Sequence, residues 1–297
     1  DRPSVQHPIG LVQEDHRHDA DAVPQQPPGM NAAVPLTHRR GTVQSPMRIA
    51  FLNGAVSFSD YEQSMFYHTL VQGMIAAARD EDAALSYYDE GATITDIMRT
   101  NVDSIIAVIP RRHPDHGSDA GGIPLIHCML SPPNPSWYAG SDETLGIARL
   151  LSHLRVNGYR RIAFFGFGQE SYIKERYTAF RRSASQELLA KPHQYAAGTD
   201  MQHGDLFSTA SQAQLSRICG QIIQNKPDAL VCATDRLACH FIDHASARGL
   251  RIPGDIAVAG FDGNEGAAGI PDRRAGITTV RQDYFSIGAA AVHMAAE

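Results

Sequence analysis

The sequence is short of the features that mark several protein classes. Its 297 residues hold 4 cysteines (Cys128, Cys219, Cys232, Cys239), none spaced as CxxC, which excludes a disulfide scaffold and a paired zinc knuckle. Three of them lie in apolar runs, where a thiol behaves as a small buried hydrophobe, and this usage predicts a reducing, cytoplasmic setting. No stretch approaches the ~18 uninterrupted apolar residues of a membrane span. A basic start followed by an apolar core is also missing, so neither membrane attachment nor export is expected. Positive charge is in deficit: 26 Lys+Arg face 32 Asp+Glu for a formal net charge of -6. Such a chain presents no broad basic face, and contact with DNA requires a separate module. No nucleophile elbow, P-loop or Ser-His-acid set announces itself, so no enzymatic reaction and no cofactor are expected.

What the chain does contain is ordinary globular material, 43% hydrophobic and 20% charged. At roughly 150 residues per domain its length predicts two folded units. Residues 1 to 46 stand apart: Pro, His, Gln and Asp dominate, apolar periodicity is missing, and the segment reads as an irregular or disordered arm. From Met47 onward, short β-rich runs alternate with segments of helical period, which predicts α/β architecture on parallel sheets. Strands are expected at Arg48 to Leu52, Ala84 to Tyr88, Ser104 to Ile109 and Pro124 to His127, with helices near 61–79 and 142–157. Asn157-Gly158 is a good helix stop, since Gly takes the left-handed cap without a Cβ penalty. A second series then starts at Arg161 to Phe165 and includes a strand at Ala229 to Ala233 and a helix at Arg236 to Arg248, so two similar α/β halves are predicted.

Parallel sheets of this kind bind ligands at the carboxyl ends of their strands. Polar residues fall there: Asn53 and Ser57 to Ser59 after the first strand, Thr234-Asp235 after Val231, and Asp262 after Gly260. A carboxylate in such a place accepts hydrogen bonds from vicinal hydroxyls and an arginine donates a planar pair, a set suited to a sugar, polyol or nucleoside. Thr234-Asp235 also precedes a helix, and taken alone either residue reads first as a cap of that helix.

Several segments resemble, in order, the effector-binding core of the lactose-repressor/galactose-repressor (LacI/GalR) family of transcription regulators. They are 102–106 (VDSII), 122–126 (GIPLI), 141–146 (SDETLG), 154–163 (LRVNGYRRIA), 176–180 (RYTAF), 227–238 (PDALVCATDRLA), 249–262 (GLRIPGDIAVAGFD) and 277–282 (ITTVRQ). The likeness weakens over residues 47 to 101, Ala179 stands where the family has Gly, and Thr234 where it has Asn. The resemblance implies a periplasmic binding protein-like type I fold, two Rossmann-like subdomains joined by crossovers and closing on a small ligand. One subdomain would comprise residues 47–158 plus 281–297 and the other 159–280, with chain crossings near Gly158 to Arg161 and Thr278 to Gln282.

Carried over by motif, the ligand shell is Asp142, Arg176, Thr234, Asp235, Asp262 and Gln282. Asn53 and Ser59 come from the first strand end, and Tyr172 and Tyr284 offer stacking faces to a sugar ring or, alternatively, pack in a subdomain core. Arg176 is the expected bidentate donor to ligand hydroxyls, against the plainer reading of an ion pair with Glu175. The partners implied are a small sugar or nucleoside-like effector, a second copy of the chain in a homodimer, and operator DNA through a DNA-binding domain. Residues 1 to 46 do not supply the roughly 20-residue helix-turn-helix of such a reader, so a fragment truncated at one or both ends is expected. A solute-binding protein of a sugar transporter shares the fold and is the rival reading.

Two weaker constellations remain. Gly166 to Ser171 is a partial GxGxxG with Ser in the third place and no acidic residue about twenty positions on, which argues against dinucleotide binding. His240 and His244, four apart beside Cys239 and Asp243, share a helix face without a third ligand, so no metal site is expected.

Overall fold

The strand Met47–Asn53 shows why this chain builds covered parallel sheets. Ile49 and Phe51 enter one apolar core, while Ala50 and Leu52 enter another on the opposite face. That is the period of two of a strand buried on both sides. The computed structural model describes residues 5–7, 10–12, 45–54, 65–89, 91–108, 120–129, 135, 137–167, 171–186, 193–197, 209–263 and 277–297.

In chain order the elements are β1 (Val5–His7), β2 (Gly10–Val12), β3 (Met47–Asn53), α1 (Met65–Asp80), β4 (Ala83–Tyr88), α2 (Ile94–Met98), β5 (Ser104–Val108), β6 (Leu125–Cys128) and β7 (Trp137–Ser141). They continue with α3 (Glu143–Val156), β8 (Ile162–Phe167), α4 (Ser171–Gln186), β9 (His193–Ala197), α5 (Thr209–Asn225), β10 (Ala229–Cys232), α6 (Asp235–Ser246), β11 (Ala257–Asp262), β12 (Thr278–Arg281) and α7 (Tyr284–Ala296). They form two six-stranded sheets, ordered β1-β7-β6-β5-β3-β4 and β2-β12-β11-β10-β8-β9. The first is parallel throughout. The second is parallel except for its edge strand β2, which runs antiparallel to β12. The α/β class and the pair of parallel sheets expected from the alternation are both present.

The sequence pattern passed over β7, β9 and β12 as strands. Their runs are short, and β7 (WYAGS) and β9 (HQYAA) mix small and polar residues, so the apolar signal that marked β3 or β10 is absent from them. In the compositionally odd arm, three residues of β1 pair with β7 and three of β2 with β12. Residues 13–44 and Ser59 lie outside the described residues.

On one face of the first sheet, α1 and α7 contribute Leu70, Met74, Ile287 and Ala291 to a shared core. They cross at very close range. A Cβ at Gly73 would strike the carbonyl of Phe285, and one at Gly288 would strike that of Leu70. On the other face α2 inserts Ile94 and Ile97; its start is fixed by Thr93, whose Oγ1 accepts from Asp96 N in a capping box.

The second sheet has one continuous core, and α3 belongs to it. Ile147, Leu150, Leu151 and Leu154 form the apolar stripe of α3, and they pack with Phe164, Phe180, Leu230 and Phe261. The chain therefore leaves the first sheet between Ser141 and Glu143, ahead of the Gly158 to Arg161 region that the resemblance implies. It returns between Arg281 and Tyr284, where β12 gives way to α7. The physical reason is the stripe itself, which commits α3 to the second core before the helix ends.

Among the described residues no helix is long and apolar enough to cross a membrane. The four cysteines are free and buried, and burial pushes the Cys128 and Cys219 thiols up to about 12.

Candidate functional site

Both chain crossings and the ends of β7, β11 and β12 converge on Arg176. This side chain projects from the first turns of α4 and is only 2% exposed, among the largest fully buried side chains of the protein. Nε donates to Glu143 Oε2 at 2.6 Å and Nη2 to Glu143 Oε1 at 3.3 Å. Nη1 donates to Asp262 Oδ1 at 2.9 Å and to the Ala233 carbonyl at 2.5 Å. Aromatic faces close the remaining sides, with the guanidinium carbon 3.8 Å from the Phe261 ring centroid and 4.8 Å from that of Tyr172. Burial works against the charge of Arg176, yet Glu143, and after it Asp262, more than offset this and hold its pKa above the ordinary arginine range. The ion partners of Arg176 are thus Glu143 and Asp262, where the sequence had offered its neighbour Glu175.

Asp262 ends β11 with φ 124°, a backbone region that side-chain-bearing residues rarely adopt. Its Oδ1 accepts from both Arg176 and Gln282 Nε2, the latter at 2.9 Å. Burial pushes its carboxyl up to about 7; Arg176 pulls it down, while Asp235 and Glu143 push it further up. Asp235, buried in the first turn of α6, accepts from Thr279 Oγ1 at 2.6 Å. Gly260 makes the room for that carboxylate, since a Cβ there would collide with Asp235 Oδ1.

Gln282 is the knot between the two crossings. Its Oε1 accepts a short hydrogen bond from Ser141 Oγ, and its Nε2 donates to Asp262 and, at 3.1 Å, to Tyr284 Oη. Tyr284 in turn donates to the Asp262 carbonyl at 3.3 Å, with its ring packed in the first core against Phe66. Burial, and then the charge of Asp262, raise the Tyr284 hydroxyl well above the ordinary tyrosine range. The path Ser141, Gln282, Asp262, Arg176, Glu143 joins residues flanking both crossings through buried side chains.

The residues expected from the sequence therefore divide into groups. Arg176, Asp262, Gln282, Tyr284 and Tyr172 come together, and Asp235 joins them through the β12 strand. Asp142 and Thr234 act as helix caps: Asp142 Oδ1 accepts from Leu145 N at 2.8 Å and Thr234 Oγ1 from Leu237 N at 3.2 Å. Asn53, buried at the end of β3, donates to Tyr87 Oη at 3.2 Å. Among the described residues no group of three His, Cys, Asp or Glu side chains is placed to hold a metal ion, His240 and His244 included.

Sequence reasoning passed over Glu143, Ser141 and Thr279. Each stood in a segment already singled out, Ser141 and Glu143 on either side of Asp142 and Thr279 in the same 277–282 segment as Gln282. A carboxylate in the first turn of a helix reads as a dipole partner in sequence, and nothing in the spacing says that a buried arginine waits beside it.

A model of the periplasmic binding protein-like domain matches residues 151–297. An HTH-type transcriptional regulator of Streptomyces limosus is 29% identical over 158 residues, covering 52% of this chain and 42% of that protein. The chain is similar to the effector-binding core of LacI/GalR-type regulators. The fold of that core recurs in solved structures. A LacI transcriptional regulator from a Rhodococcus species superposes with a TM-score of 0.64 at 22% identity over 84% of this chain and 88% of that one. The transcriptional regulator CelR in complex with cellobiose does so with a TM-score of 0.67 at 18% identity, over 84% and 77%. The chain spans less than half the length of the Streptomyces regulator it matches.

Proposed function

We propose that this core senses a small polyhydroxylated effector, a sugar or nucleoside, between its two sheets and reports binding to operator DNA through an appended DNA-binding domain. It works as a cytoplasmic homodimer, in which the effector changes the relative orientation of the subunits' first-sheet lobes. The observation that carries this reading is the buried network from Ser141 to Glu143 through Gln282, Asp262 and Arg176. It lies where strands run out into loops, and it bonds both chain crossings, so a ligand that exchanges one of its bonds acts on the hinge itself. The cellobiose held by the fold neighbour CelR supports a sugar as the first class to try.

Arg176 binds the effector by trading one Nη1 bond for a ligand hydroxyl, and Asp262 accepts from a neighbouring hydroxyl. Such an exchange gives the effector different affinities for two hinge arrangements, which is the requirement for a population shift.

The test is a calorimetric screen of the chain against monosaccharides, disaccharides and nucleosides, with Arg176→Lys in parallel. Lys keeps the charge and loses the planar fork. A ligand at about 100 times its Kd stabilises the fold by about 2.7 kcal/mol, and the Lys variant loses at least about tenfold in affinity. A folded chain that binds no member of the three classes at millimolar concentration refutes the proposal.

A further inference from the structure

Arg176 and Asp262 differ in how much hydrogen-bonding capacity they leave open, and the difference narrows the class of effector. A guanidinium has five N–H groups. Arg176 spends four of them, two on Glu143, one on Asp262 and one on the Ala233 carbonyl. Asp262 is the opposite case. The bonds its carboxylate accepts from Arg176 and Gln282 both end on Oδ1. Among the described residues Oδ2 accepts none, and 15% of the side chain stays exposed. What this pair has left to offer a ligand is mainly an acceptor, one carboxylate oxygen.

Charge points the same way. Three carboxylates, Glu143, Asp235 and Asp262, gather about the guanidinium of Arg176; Glu143 and Asp235 are buried and Asp262 largely so. Three less one leaves an excess of two negative charges when all are ionised. The backbone is shaped to seat this excess, since Gly260 lacks the Cβ that would collide with Asp235 Oδ1. Side chains belonging to both sheets respond to it. Burial and then the charge of Glu143 raise the Glu175 carboxyl in α4, with Arg176 pulling the other way. Burial and then Glu143 and Glu175 raise the Tyr138 hydroxyl on β7. Arg236, half-buried beside Tyr172, is a further cation near the site, and Glu175 offsets it in number.

We infer that the effector of this site carries an ammonium group, as an amino sugar or amino nucleoside does, and that the ammonium docks on Asp262 Oδ2. The inference rests on the effector-binding reading above. An ammonium brings three donors and no acceptor, so it answers an open oxygen beside an arginine that is nearly spent. Its bond to a carboxylate is charge-assisted, roughly twice as strong as the bond a neutral hydroxyl makes. It also offsets part of the excess charge, which a hydroxyl leaves in place. A phosphate adds to that excess and is repelled.

Isothermal titration calorimetry on the full chain at about pH 7, where an ordinary amine is mostly charged, tests this with matched compounds. The sugar arm compares D-glucose with D-glucosamine, N-acetyl-D-glucosamine and the phosphate ester of glucose, and repeats the set for galactose and mannose. The nucleoside arm compares adenosine with its analogue carrying an amine in place of one ribose hydroxyl. An amino compound is expected to bind at least about tenfold more tightly than its hydroxyl parent. N-acetylation, which keeps an N–H and removes the charge, is expected to abolish that gain, and the phosphate to weaken binding. Asp262→Asn keeps the shape and removes the charge, and is expected to bring amino and hydroxyl compounds within about twofold of each other. Equal affinity for amino and parent compounds, or tightest binding of a phosphate, overturns the ammonium and leaves the effector-sensing reading standing. A preference that survives Asp262→Asn overturns its placement on Oδ2. Binding of no compound in either arm at millimolar concentration overturns both readings. If Asp262→Asn does not fold, the comparison among ligands on the unaltered chain decides alone.

Discussion

Replacing Arg176 by Met tests the buried network directly, because Met fills much of the volume and removes the charge. Arg176 is 2% exposed and Glu143 7%, so solvent does little to screen what is lost. The variant gives up both bonds to Glu143, at 2.6 and 3.3 Å, and the bond to Asp262 at 2.9 Å. Asp262, already pushed up to about 7, can take a proton and shed part of its cost. Glu143 is left as the orphaned charge. Breaking a buried pair from one side costs about 3–5 kcal/mol, which corresponds to a fall in Tm of about 6 to 20 °C for a protein of this size. Urea unfolding followed by far-UV circular dichroism reads the loss as a lower midpoint at constant slope. Adding Glu143→Leu to Arg176→Met removes the orphan and is expected to recover most of the loss. A single-variant cost below about 1 kcal/mol, the range of a solvent-screened pair, or a double variant no better than the single, refutes the account of the site.

Two further outcomes follow from named contacts. The folded-state pKa of Asp262 is raised from 3.8 to about 7, so the native state holds a proton there that the unfolded chain releases. This contribution to stability is full below pH about 4, falls as pH rises toward 7 and levels off above it; Asp262→Asn should flatten that part of a stability-against-pH curve measured by urea unfolding. Gly288→Ala would raise helix propensity by about 1 kcal/mol at an exposed site, but here the new Cβ meets the Leu70 carbonyl across the α1–α7 crossing. A net loss of about 1–3 kcal/mol is expected, and a variant more stable than the parent in the same assay would contradict the close helix contact.

The fold was legible wherever burial on both faces left a continuous apolar run, as in β3, β5 and β10, and where α1 and α6 carried their stripes. It was illegible in β7 and β9, whose small and polar residues gain their strand character from neighbours already in place. The site was half legible. Arg176, Asp262, Gln282 and Tyr284 were named from motifs, yet the partner that matters most to Arg176, Glu143, lies 33 positions away and was hidden beside the more familiar cap residue Asp142. Asp142 and Thr234 themselves show the limit in the other direction, since cap and ligand contact look alike in one dimension, and it is the structure that shows both accepting from helix amides, of Leu145 and Leu237.

By itself, then, the amino-acid sequence determined the class of the fold, the two sheets and the polar character of the strand ends, because periodicity and strand-end chemistry are local properties. Tertiary structure decided which sheet α3 joins, that residues 5–7 and 10–12 each add a strand, one to either sheet, and that Arg176 is held by Glu143, Asp262 and the Ala233 carbonyl. Those are choices among distant partners. Burial makes each of them costly to leave unpaired, and no local pattern records which distant group will answer.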